Sequence, residues 1–144
     1  MPHPKRAASS ATNPFPPGSV LGLLAERTQL DFELEFFGKV LANVPDFADA
    51  LRAQACNLTM KGRLQDGLVV DEKLVTVRPT DPTAHYNLAC RYALLKQRDK
   101  AIVALRKAVE LGYRDFDFIK EDHDLDSIRK DPRFGKLLKE YQGS

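Results

Sequence analysis

Tryptophan is absent from this chain and cysteine occurs only twice, at Cys56 and Cys90. Two cysteines cannot staple a disulfide scaffold, and so few fit a reducing compartment at least as well as an oxidising one. No apolar run approaches the ~20 residues that span a bilayer. Lys5 and Arg6 are followed by Ser, Thr, Asn and three prolines rather than by the apolar core of a signal peptide. These absences predict a cytoplasmic protein that does not enter a membrane. A formal net charge of +2 is too small to argue for nucleic acid. Lys96, Arg98, Lys100, Arg106 and Lys107 face several directions with no aromatic interleaving, as expected of a solvated face. No segment alternates apolar and polar residues as a strand would. No nucleophile elbow, phosphate-cradling glycine loop or zinc-protease helix is present. The chain is therefore not expected to be an enzyme, and no cofactor or metal is implied.

What remains is helical periodicity in a 144-residue chain, long enough to bury roughly 70% of its unfolded surface without staples. Residues 1–18 hold Pro14, Pro16 and Pro17 and have Phe15 as their large apolar anchor, so they predict a disordered tail or an extended arm. Ser19 suits the cap of a short helix to about Arg27, weakened by Gly22. Leu30, Leu34, Phe37 and Leu41 form one stripe of a helix that Pro45 ends, and Phe36, Val40 and Val44 form a second. An apolar stripe on each side predicts a helix packed between neighbours. Asp46 is placed to cap a helix over residues 47–61, with Gly62 just past its end. A helix over 64–77 follows. Asp81-Pro82 and Asp131-Pro132 each join a capping carboxylate to proline at the first helical position. They start helices over 82–95 and from 132, the latter carrying Phe134, Leu137, Leu138 and Tyr141 on one face. Between them lie a helix over 98–111 closed by Gly112, a short helix capped by Asp115, and a turn or two over 125–130. The fold class is all-α.

Pro45 and Pro79 stand 34 residues apart, and residues around them repeat at that offset. The unit from Pro82 carries Leu88, Ala89, Tyr92, Ala101, Leu105 and Ala108, small and large residues arranged for two closely packed helices. The unit from Ala48 carries Leu51, Ala55, Leu58, Gly62, Leu64, Gly67, Leu68 and Pro79. This pattern resembles the tetratricopeptide repeat family, over roughly residues 30–141. Gln54 and Asp71 depart from it, standing where large apolar residues are usual. The run Asp124 to Phe134 is similar to segments that end bacterial arrays of this kind. The resemblance implies a short right-handed superhelix of antiparallel helix pairs with a C-terminal capping helix. Its parts are a partial unit over 19–45, repeats over 48–81 and 82–115, and a degenerate end over 116–144.

The resemblance also implies work: holding a peptide or domain of another protein in a concave groove lined by the first helix of each pair. Its groove positions fall on Asp49, Arg52, Cys56, Thr59 and Met60, then Thr83, Tyr86, Asn87, Cys90, Ala93 and Leu94, with Asp117 and Glu121 from the last unit. Relatives that clamp a C-terminal carboxylate need more cations than Arg52, and Asp117 and Glu121 would repel such a ligand. Cys56 and Cys90 lie one period apart, on helices spaced about 8–10 Å, beyond the ~7 Å Cα separation a disulfide tolerates. Small residues fitted between helices, rather than a thiol or metal site, are the expectation there. His123 sits among Glu121, Asp122 and Asp124, where helix caps in a solvated connector are expected before metal or acid–base chemistry. The competing expectation is a structural subunit or homo-oligomer that docks through its terminal helices.

Overall fold

The structure, a computed structural model, describes residues 14–143, except the side chains of residues 26–28. Seven α-helices and one 3-10 segment follow in order, and no strand occurs among the described residues. The expected tail falls mostly outside them. Pro14 to Gly18 lie at the surface, and the Ser19 N–H closes a turn onto the Pro16 carbonyl.

Helix α1 is Val20–Asn43, capped by the Ser19 hydroxyl, which accepts from the Gly22 N–H. The separate helix expected to end near Arg27 does not exist. Gly22 lowers helix propensity by only about 1 kcal/mol, and no proline interrupts residues 18–44. Helices α2 (Ala48–Met60) and α3 (Leu64–Val77) form one hairpin, and α4 (Pro82–Leu94) and α5 (Arg98–Glu110) form the next. Asp81 caps α4 by accepting from the Thr83 N–H, as its Asp-Pro motif predicts. Asp46 does not cap α2. Phe47 occupies that position without a side-chain bond, and the Asp46 carboxylate lies 4.0 Å from Lys73 Nζ.

The hairpins repeat in register. Ala48 and Pro82 open their first helices 34 residues apart, and Leu64 and Arg98 open their second helices at the same offset. The turns agree as well: Gly62 has φ +81° and Lys96, one period later, has φ +60°. A third left-handed residue, Gly112 at φ +117°, ends α5. Ala89, Ala101 and Ala108 are fully buried, which lets α4 and α5 approach closely while Leu105 and Val109 fill the adjoining space.

Helix α6 (Phe116–Glu121), the 3-10 segment (His123–Ile128) and α7 (Pro132–Gln142) close the far end. Asp115, Asp122 and Asp131 each cap the element that follows them. Phe134, Leu137 and Leu138 of α7 join the main core of α4 and α5. Exposed pairs Arg133–Asp99 (2.8 Å) and Arg106–Glu140 (3.0 Å) flank that contact, each contributing about 0–1 kcal/mol. A smaller core of Ala48, Leu51, Leu74 and Ala84, with Leu41 against it, joins α1 to the first hairpin. The fold is an all-α, repeat-like stack of neighbouring helix pairs.

Candidate functional site

The expected groove residues separate into two environments. On α2, Asp49, Cys56 and Met60 are exposed, while Arg52 and Thr59 are half-buried. On α4, Thr83 and Leu94 are half-buried, but Tyr86, Asn87, Cys90 and Ala93 lie in the interior. Tyr86, Asn87, Cys90 and Ala93 are therefore not contact residues, contrary to their sequence assignment. The C-terminal segment covers Tyr86 and Cys90. Tyr86, with none of its surface exposed, stacks on Tyr113 at 4.2 Å between ring centroids and meets the Phe118 ring at 6.0 Å.

Its hydroxyl donates to Asp122 Oδ2 at 2.7 Å, and Cys90 Sγ donates to the same oxygen at 3.7 Å. Asp122 Oδ1 accepts from the Asp124 N–H that starts the 3-10 segment, and the Ser127 hydroxyl donates to the Ala93 carbonyl at 2.6 Å. Burial, then the neighbouring Cys90 and Asp122, pushes the Tyr86 hydroxyl far above its ordinary pKa. Burial likewise raises Tyr113. Both phenols stay protonated across the physiological range, so Tyr86 serves as a donor and not as a base.

Cys90, Asp122 and Asp124 bring one potential ligand atom each within 4.8 Å of one another. The carboxylate of Asp122 is already engaged as a cap and as the acceptor for Tyr86, so the cluster is explained by its own bonds. The two cysteines, equivalent in the repeat, are unlike in the fold: Cys56 is exposed and Cys90 is buried. His123 is exposed, with Nδ1 3.2 Å from Asp126 Oδ2. That contact lowers the Asp126 pKa, with Arg129 adding to it.

Arg52 was expected to orient a ligand. Its guanidinium instead reaches from α2 to the start of α4, with Nη2 2.7 Å from Asp81 Oδ2 and Nη1 3.8 Å from Asp49 Oδ1. Its charge is thereby largely answered within the molecule. Two polar atoms of the inner wall have no protein partner, Arg52 Nε and Asn87 Oδ1. A buried carbonyl oxygen without a donor costs about 1–3 kcal/mol, and Asn87 Oδ1, sealed in the interior, carries that cost. The accessible side chains at the expected groove positions are Asp49, Cys56 and Met60 of α2, with Thr83 and Leu94 of α4 half-buried. Asp117 and Glu121 of α6 are exposed at the next position along the stack.

Sequence reasoning missed Asp122 as the residue that seals the wall. The signal was its place one residue before a 3-10 turn, 36 residues after Tyr86. Of three shallow depressions, the one of about 390 Å³ lies between Leu94 at the end of α4 and the 123–127 stretch, while those of about 520 and 500 Å³ are lined mainly by charged residues of the α4–α5 turn and of residues 120–129. No helix among the described residues is long and apolar enough to cross a membrane.

No family model matches the sequence. A protein of Arabidopsis thaliana whose name describes it as chloroplastic is 33% identical to this chain over 94 residues, which make up 63% of the chain. The matched part spans 28% of that relative's length.

Proposed function

We propose that this protein is a non-enzymatic, tetratricopeptide-type interaction module that holds an extended segment of another protein along the inner faces of α2 and α4. The 34-residue offset of the paired helices and of their left-handed turns supports the family reading. The observation that carries the binding reading is Met60, an apolar side chain 59% exposed on the same helix as the exposed Asp49, with Leu94 of α4 still partly accessible. Extended segments are held by bonds to their backbone, and side-chain pockets give the selection. Asp49, Asp117 and Glu121 favour a segment bearing Lys or Arg and disfavour a terminal carboxylate. The ligand contacts are then Asp49, Met60, Thr83 and Leu94, with Cys56 at the edge and Arg52 as a structural strut.

The compartment we propose is a reducing, aqueous one, since neither cysteine is held in a disulfide. The cytoplasm meets this condition, and so does the plastid interior that the relative's name implies. Pull-down from an extract of the native source, followed by mass spectrometry, tests the groove. Asp49→Ala/Met60→Glu should lose at least one protein that the wild type retains reproducibly, with unchanged helicity. Equal recovery by both proteins removes the groove from the argument.

A further inference from the structure

Helix α1 differs from the other long helices in having a second apolar stripe turned away from its packed side. Leu41 packs on the smaller core. Leu21 is 58% exposed, Phe32 63% and Phe36 50%. With the half-buried Ala25 they share one line, for at 100° per residue these four positions fall within about 60° of arc. The Phe32 and Phe36 rings stack at 6.4 Å between centroids, so the patch is preformed. The repeat shows what the helix is missing. The equivalents of Phe36 one and two periods later, Val70 and Ala104, are half-buried and 7% exposed, whereas α1 has no preceding helix of its own among the described residues.

We infer that the outward stripe of α1 is a homodimer interface, closed by the same stripe of a second copy running antiparallel to it. The spacing is self-complementary. A two-fold axis through the Thr28–Gln29 peptide sets Leu21 on Phe36 and Ala25 on Phe32, small against large at each level, and repeats the contact by symmetry. The charges select the direction. Exposed Glu35 and Lys39 form an ion pair within α1 at 3.2 Å. Parallel pairing would set each against its own like charge, whereas antiparallel pairing sets both against the uncharged Gly18–Gly22 stretch.

The size also fits. A helix of 24 residues is about 36 Å long, and the stripe with its flanking stems exposes on the order of 500 Å² of apolar surface. A standard interface takes about 800 Å² per partner, roughly 65% of it apolar at the core. Residues 1–13 offer little apolar surface for this cover, the first methionine being their one large apolar side chain. The dimer is independent of the groove reading, because the two surfaces lie on different helices and are read by different assays.

Light scattering and sedimentation of the full chain at micromolar concentration test the inference. The expected particle is about 32 kDa, twice the 16.2 kDa chain. Phe32→Glu/Phe36→Glu should give a monomer of unchanged helicity, and Val103→Glu, at another exposed apolar position on α5, should remain dimeric. With Cys56→Ser to remove the exposed thiol, Ala25→Cys/Phe32→Cys should crosslink two chains on oxidation. Phe32→Cys alone should not, because the two-fold sets those positions about 10 Å apart along the axis, beyond disulfide reach. A monomeric wild type, a dimeric Phe32→Glu/Phe36→Glu protein, or crosslinking through Phe32→Cys alone would each overturn the proposal.

Discussion

Asp71 of α3 and Arg91 of α4 form a buried ion pair, and the consequence of breaking it can be worked from the structure. Arg91 Nε donates to Asp71 Oδ2 at 2.7 Å, and the two side chains are only 7% and 2% exposed. At an effective dielectric constant near 20, that separation corresponds to an attraction of about 6 kcal/mol. Removing two ions from water costs several kcal/mol each, so the intact pair nets close to zero. Its loss is not symmetric with its presence. Asp71→Ala leaves a guanidinium sealed beneath α3, and uncompensated buried charges of this kind cost about 3–5 kcal/mol.

For a chain of this size that cost lowers the Tm by about 10 °C or more. Chemical denaturation followed by far-ultraviolet circular dichroism measures it directly. Asp71→Leu/Arg91→Met should behave in the opposite way, recovering to within about 1 kcal/mol of the wild type or exceeding it, because apolar packing replaces the pair without desolvation. The reasoning fails if Asp71→Ala stays within about 1 kcal/mol of wild type. It also fails if the double variant is no better than the worse single substitution.

Lys96 holds a left-handed φ of +60° where Gly62 stands one period earlier, so Lys96→Gly should stabilise the fold by roughly 0.5–1 kcal/mol; thermal melts that show a loss would remove strain from the account of that turn. Tyr86 and Tyr113 keep their protons in the folded state far above the ordinary tyrosine value. Their contribution is complete below about pH 10, the unfolded pKa, and is lost as pH rises beyond it, at about 2.7 kcal/mol per pH unit for the two together. Absorbance at 295 nm should show Tyr86 and Tyr113 titrating only with unfolding, and ionisation of all four tyrosines near pH 10 in the folded protein would contradict the packing described.

Local chemistry made much of this architecture legible. The Asp-Pro starts at Asp81 and Asp131, the glycines at 62 and 112, and the helical stripes each follow from neighbours within one turn, and the observed elements match them. The Asp46 cap and the helix break near Arg27 are local misses; the failures at the site are non-local. Tyr86 looks like a groove residue because its position in α4 matches the first-helix pattern. Its burial depends on Asp122, which arrives 36 residues later beside a 3-10 segment whose periodicity is not that of an α-helix. Cys56 and Cys90 are equivalent by sequence, yet only the second has a following segment folded over it.

The two misfits of the first full unit resolve differently. Asp71 departs from the apolar pattern because its partner is Arg91, in the next hairpin. No account of that kind exists for Gln54, whose Oε1 is buried without a partner, as is Asn57 Nδ2 three residues along the same helix. A polar misfit paired across helices fixes one arrangement of the stack. A polar misfit left unanswered on α2 weakens whatever packs over it, so the N-terminal end of the array has the most to gain from a second copy.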